Sequence, residues 1–186
     1  EPPRNVPVVL VLDFSPKNIV PAYFDAGRLI ANQLTFALGQ FGRLKALNIR
    51  ERETILGPVN FSDEYIEKNI ENIQRMVRDG KLSRVDYIVY GSFLEGPDHL
   101  LCAFSLMNFH NGTIIGDFEI SENGHDALQK LAVRAARKIY DFIPYEGRII
   151  KQSEEGIIVN LGLYDGVSKD DLLVVYKKQL AGERKT

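Results

Sequence analysis

The side chains with the types to do chemistry gather, on the sequence, at one place. In open α/β sheets ligands collect beyond the carboxyl ends of the parallel strands. That edge is expected to hold Asp13 and Ser15, then Arg50, Glu51, Arg52 and Glu53, then Ser92 and Glu95. Carboxylates and arginines in such a set suit acid–base work or anion binding. No histidine or dedicated nucleophile joins them, so strand-end turns and solvated ion pairs are the favoured reading.

Metal chemistry finds less. His99, Cys102 and His110 lie near one strand, but His99 and Cys102 have opposite parity and face opposite sides of a sheet. Cys102 and His110 share parity, yet an unbroken strand would hold them about 26 Å apart at about 3.3 Å per residue. Neither spacing is that of a zinc site. Cys102 therefore reads as a small core residue. His125, beside a helix start, reads as a surface or capping residue rather than a lone pH switch. Gly91 to Gly96 and Gly112 to Gly116 precede no Lys-Ser/Thr and open no helix, so neither is a phosphate loop or a dinucleotide fingerprint. A Gly-x-Ser-x-Gly elbow is also missing. No catalytic residue, metal or cofactor is assigned.

One charge pattern remains. Lys130, Arg134, Arg137 and Lys138 fall at i, i+4, i+7 and i+8, a basic stripe on one helix. Nucleic-acid phosphate, anionic lipid or an acidic protein face each suit such a stripe. No aromatics interleave with it to stack bases, and a solvated outer face is its default.

The elements that must position these groups follow from apolar patterning. Val85 to Leu94 is apolar or aromatic on both parities, as a strand covered on both faces requires. It is expected to be the central strand. Val8 to Phe14 has the same character and is stopped by Ser15-Pro16. A helix is expected from about Tyr23 to Phe41, with Ala26, Ile30, Leu34, Ala37, Leu38 and Phe41 on its stripe. A shorter strand, Leu44 to Ile49, leads to Arg50–Glu53 and the pair Ile55-Leu56. Ser62, with Asp63 and Glu64 behind it, caps a second helix to about Arg78. Leu100 to Phe109 and Thr113 to Ser121 form a hairpin across Asn111-Gly112. In the last strand Ile114, Phe118 and Ile120 alternate with Thr113, Asp117 and Glu119, so one face is wet and the strand suits an edge. A third helix spans about Asp126 to Phe142, with Leu128, Leu131, Ala135, Ile139 and Phe142 at helical spacing, and Pro144 closes it.

The order β-α-β-α-β-β-β-α predicts an α/β fold: a mixed sheet of about five strands, the first three parallel and the last two antiparallel, covered by three helices. Residues 1–7 are an extended lead-in and 8–143 the α/β domain. From 144 to 180 the pattern becomes short strands set apart by glycine turns, at Gly147 to Lys151, Gly156 to Gly162 and Leu172 to Tyr176. That predicts a small β-barrel-like domain, expected to be truncated because three strands seldom make a barrel alone; 181–186 is a polar tail.

Composition bounds the partners. At 186 residues the chain holds one domain and part of another. A formal net charge of −2 exerts no global pull toward nucleic acid or membrane. The single cysteine, Cys102, forbids an internal disulfide, which excludes a disulfide-stapled class but not an oxidising compartment. No run approaches the roughly 20 apolar residues that cross a bilayer. The chain opens at Glu1 rather than Met, which reads as processing or trimming and leaves the compartment open.

Several stretches, in order, resemble the TolB amino-terminal-domain-like group, which includes CsgG of curli secretion and the middle domain of flagellar FlgT. They are Val8 to Phe14, Leu29-Ile-Ala-Asn-Gln-Leu34, Leu47-Asn-Ile-Arg-Glu-Arg-Glu-Thr-Ile-Leu56 and Asp86-Tyr-Ile-Val-Tyr-Gly-Ser92. The resemblance covers roughly Val6 to Phe142. Gly147 to Tyr176 is similar to the carboxy-terminal β-domain of FlgT-like proteins, with Asp170 where those have glycine; aspartate tolerates a left-handed turn better than most residues.

The resemblance implies a non-catalytic, periplasmic or outer-membrane-associated module of a flagellar or secretion assembly. It would work through protein partners, as a lipoprotein in many such cases, and with homo-oligomers among the options. The Leu100–Ser121 hairpin is too short for a pore-forming role. The alternative is a nucleic-acid-binding module using the basic stripe. Lys130, Arg134, Arg137 and Lys138, together with Arg50, Glu51 and Arg52, are the candidate interaction residues.

Overall fold

In the computed structural model, which describes residues 6–17, 26–56, 85–144, 147–154, 156–162, 167 and 169–175, the apolar run around Val89 lies inside a sheet. The elements are strands β1 (Val8–Val11) and β2 (Ser15–Pro16), helix α1 (Ala26–Leu38), strand β3 (Lys45–Ala46) and helix α2 (Ile49–Leu56). Strands β4 (Tyr87–Glu95), β5 (His99–Asn108) and β6 (Thr113–Asn123) follow, then helix α3 (Ala127–Phe142) and the strands β7 (Ile149–Ser153) and β8 (Gly156–Val159).

The sheet order is β3-β1-β4-β5-β6, with β2 pairing to the far end of β4. β1 runs parallel to both β3 and β4, and β2 parallel to β4, whereas β4–β5 and β5–β6 are antiparallel. This is the mixed sheet that the element order implies. β7 and β8 form a separate antiparallel pair.

Central placement explains the composition of β4. Tyr87, Val89 and Phe93 face α1 and α3, in one core with Val9, Val11, Cys102, Phe104 and Leu106. Ile88 and Tyr90, of the other parity, are buried on the opposite face with Leu10 and Met107. That second face opens from β5 onward, where Leu101, Ala103 and Ser105 are only half-buried. From α1 the core takes Ile30, Ala31, Leu34 and Leu38, and from α3 Leu131, Ala132, Ala135, Ala136 and Ile139. Each fully buried Leu or Ile contributes roughly 1.5–3 kcal/mol of transfer free energy. The four alanines of α3 let that helix approach α1 and the sheet closely.

Gly27 and Gly112 are needed for a close approach and for turn geometry. A Cβ on Gly27 would lie 1.8 Å from the Phe14 carbonyl oxygen, and the Phe14 N–H donates to the Gly27 carbonyl at 3.2 Å. Only glycine lets α1 touch the strand end there. Gly112 has φ of 71° and closes the β5–β6 turn, its N–H bonded to the Asn108 carbonyl at 2.9 Å. The turn is the four residues Phe109–Gly112 rather than a two-residue Asn-Gly link, with Asn108 and Asn111 side chains accepting from the backbone N–H groups of His110 and Thr113.

Several boundaries depart from expectation. The strand expected over Val8 to Phe14 ends at Val11; the chain detours and Ser15-Pro16 rejoins β4 as β2. The strand expected over Leu44 to Ile49 shrinks to two residues, because a helix already begins at Ile49. The helix expected over Ser62 to Arg78 lies outside the described residues. Ile114 does not join Phe118 and Ile120 in the core and is 46% exposed. A β-bulge between Leu106 and Met107 pairs Gly116 and Ile114 with them, so Ile115 is the extra residue and packs inward instead. Phe142, expected on the buried stripe of the third helix, is 51% exposed at its last position. Leu172–Val175 lies outside both sheets and is exposed, where a third strand was expected.

Candidate functional site

The carboxyl ends of the parallel strands do gather part of the expected set. At the start of α2, Asn48 and Glu51 cap each other: the Glu51 N–H donates to Asn48 Oδ1 and the Asn48 N–H to Glu51 Oε2, both at 3.0 Å. This reciprocal arrangement is a capping box, and Lys45 Nζ adds an ion pair to Glu51 at 2.7 Å. The cap fixes the phase of the helix, which turns Arg52 inward and leaves Arg50 in solvent.

Arg52 is 5% exposed. Its Nη1 lies 3.1 Å from Asp13 Oδ1 and donates to the Val11 carbonyl at 3.3 Å, while Nη2 donates to Asn32 Oδ1 at 3.2 Å. One guanidinium thus ties α2 to the end of β1 and to α1. Asp13 Oδ1 makes no aligned hydrogen bond, so the contact is charge against charge. Ser15 and Ser92 are neighbours in the β2–β4 ladder, Ser92 buried and Glu95 half-buried farther along. The structure therefore brings Asp13 and Arg52 together and directs Arg50 and Glu51 elsewhere; the Glu53 side chain lies outside the described residues. These groups hold elements in place.

The basic stripe of α3 is largely neutralised by its own surroundings. Lys130 pairs with Asp126 at 2.9 Å and Arg137 with Asp141 at 3.4 Å, each one helical turn away. Arg134 pairs with Glu122 of β6 and also reaches the Ser121 carbonyl. Lys138 Nζ stands 5.7 Å from the centroid of the Phe118 ring. The hydrogen bond from Lys130 holds the Asp126 carboxyl below the usual carboxylate range and raises the lysine in turn. Such pairs leave little net field for phosphate.

The remaining titratable groups are dispersed. Cys102 is fully buried, and burial pushes its thiol up to about 12, which leaves it protonated and unreactive. His110 Nε2 lies 2.9 Å from Asp86 Oδ1, and the other oxygen of that carboxylate accepts the Val8 N–H at 2.8 Å, tying the hairpin turn to β1. His99 packs against Gly96, and His125 is exposed. Among the described residues no three of His, Cys, Asp or Glu are grouped to hold a metal ion, and no described helix is long and apolar enough to cross a membrane.

Two features escape a reading of the sequence. Arg43 is buried, its guanidinium 4.0 Å above the Tyr140 ring and its Nη2 donating to the Tyr140 carbonyl, with Phe41 stacked on the same ring at 4.5 Å. More consequential is the apolar surface of the second sheet. Ile149, Ile150, Ile157 and Ile158 are exposed on it, and the run Leu172 to Val175, outside both sheets, is exposed as well. The signal was present in Ile157-Ile158: adjacent isoleucines in a regular strand point to opposite faces, so this pair demands cover on both sides of a two-stranded sheet, whereas at Ile149-Ile150 a register shift breaks the alternation.

No family model matches the chain, and no curated protein sequence matches it either. Solved structures do resemble it. A PelC dodecamer from Paraburkholderia phytofirmans superimposes with a TM-score of 0.46 at 16% identity over 72% of this chain and 84% of that one. TolB from Acinetobacter baumannii gives 0.48 at 13% over 75% of this chain, which spans 28% of TolB. Lipoprotein GNA1162 from Neisseria meningitidis gives 0.46 at 13% over 70% and 94%. These are similarities of fold.

Proposed function

We propose that this chain is a non-catalytic protein-binding or scaffold module of a cell-envelope assembly, of flagellar or secretion type, working in the periplasm or at the outer membrane. The observation that carries the reading is the exposed apolar surface of β7, β8 and Leu172–Val175. Monomers rarely leave isoleucines grouped on one small sheet, as Ile149, Ile150, Ile157 and Ile158 are, in water, and apolar patches of this kind mark contact sites. The ionic groups at the strand ends support the non-catalytic part, since Asp13, Arg52 and Glu51 are engaged in holding α1, α2 and β1. The setting rests on the sequence resemblance over Val6 to Phe142 and Gly147 to Tyr176. In this reading 8–143 is the platform and 144–180 the docking part, with protein partners that include further copies of the chain. Arg50 and the α3 stripe are secondary contact residues.

The test is affinity capture from envelope extracts with the full chain and with a chain ending at Pro144, alongside cell fractionation. Capture of a defined envelope partner that is lost on truncation is the expected result. A soluble cytoplasmic location, or no envelope partner with either chain, overturns the proposal.

A further inference from the structure

Among the described residues β6 pairs with β5 alone, so the backbone donors and acceptors of its second edge have no strand partner, although the Ser121 carbonyl accepts from Arg134 at 3.5 Å. Beyond the bulge, Gly116 to Asn123 stays in regular register with Leu106 to His99, and this stretch is a straight template for another strand. Its two sides differ chemically. On the outer side Asp117, Glu119 and Ser121 are exposed, placing two carboxylates at i and i+2. On the inner side Phe118 and Ile120 are buried, and the Phe142 ring meets Phe118 edge-on at 4.8 Å while remaining half-exposed.

We propose that the β6 edge docks an extended segment of a partner protein with Lys or Arg at every second position and apolar residues between. The inference rests on the protein-binding reading for the class of partner and adds a second surface to it. Added as a strand, such a segment pairs with the backbone groups of that edge, sets its cations beside Asp117 and Glu119, and lays its apolar side chains against Phe142. A second copy of β6 is disfavoured, because antiparallel self-pairing about Phe118 brings Asp117 of one copy opposite Glu119 of the other.

The experiment titrates the full chain with the synthetic peptide acetyl-Ser-Lys-Val-Arg-Val-Lys-Ser-amide. Anisotropy gives affinity and NMR amide exchange gives location. A Glu-substituted peptide and an alternately N-methylated basic peptide are the comparisons. Expected are affinity about tenfold above that of the Glu peptide, slowed exchange confined to Gly116–Asn123, and loss of binding on N-methylation. Asp117→Lys with Glu119→Lys, both at exposed positions, reverses the charge preference. Equal binding of the two charge types, undiminished binding of the N-methylated peptide, protection elsewhere, or no binding at low salt each overturns the proposal. Failure here with envelope capture retained removes the edge assignment alone; capture lost with peptide binding retained removes the other reading alone.

Discussion

Ile139 in α3 and Ile158 in β8 carry the same side chain and meet opposite conditions. Ile139 is fully buried where α3 meets α1 and a six-stranded sheet; Ile158 is 55% exposed on a sheet of two strands. The difference lies in the number of covering layers. An apolar face is stabilised only by what is laid over it. In the α/β part the chain supplies its own cover, with α1 and α3 over one face. In the β7–β8 part it presents the same residue types and, among the described residues, no second layer. The first region is a finished interior, and the second is half of one.

That contrast is open to attack in order of expected effect. Leu106→Ala, at a fully buried site beneath α3, is expected to lower unfolding free energy by about 2–5 kcal/mol; denaturant titration reads it, and a loss below about 1 kcal/mol means the interior is looser than described. Gly27→Ala should cost about 1–3 kcal/mol, because the new methyl lands on the Phe14 carbonyl. An unchanged thermal midpoint would show that α1 is free to slide away from the strand.

Arg52→Met tests whether the strand-end charges are structural. It leaves Asp13 Oδ1 and Asn32 without their cation, and the expected loss is about 1–3 kcal/mol, moderated because Asp13 is partly solvated. Capture of an envelope partner should be unaffected. The double change Ile157→Thr and Ile158→Thr should move the thermal midpoint of the α/β part hardly at all, yet reduce partner capture and self-association. A large fall in stability would mean these side chains are covered after all.

The smallest effect concerns α3. Its Asp126 carboxyl is held low by Lys130, so Lys130→Gln should return it to the ordinary range in an NMR titration. The sign follows from linkage. The aspartate's contribution is present above its unfolded pKa and fades as pH falls through the folded one. The lysine's is present below its unfolded pKa and fades as pH rises through the raised one. A carboxyl indifferent to Lys130 would leave the stripe's charges available after all.

Much of the α/β part was legible because burial on two faces leaves an unmistakable trace. Val8 to Val11 and Tyr87 to Phe93 are apolar on both parities, and alternation of strands with helices predicts parallel neighbours. What stayed hidden has specific physical causes. Ile114 and Ile115 are chemically alike, so nothing local says which one a bulge will turn inward. Arg50-Glu-Arg-Glu53 reads as a solvated run, although Asn48 and Glu51 at capping-box spacing would have started a helix at Ile49 and turned Arg52 toward Asp13. Ile157-Ile158 calls for cover on two sides, and the lack of a second layer among the described residues is a tertiary fact no local pattern encodes.

The position of β1 between β3 and β4 carries a kinetic consequence. β1 precedes both of its neighbours in the chain and ends up flanked on both sides, and its second neighbour comes far later: Val8 bonds to Asp86, a separation of 78 residues. Closing so long a loop is entropically slow. Until Tyr87–Glu95 leaves the ribosome, Val8–Val11 is a sticky apolar ribbon lacking its later neighbour. Such a nascent chain has a use for a holding chaperone until that neighbour arrives.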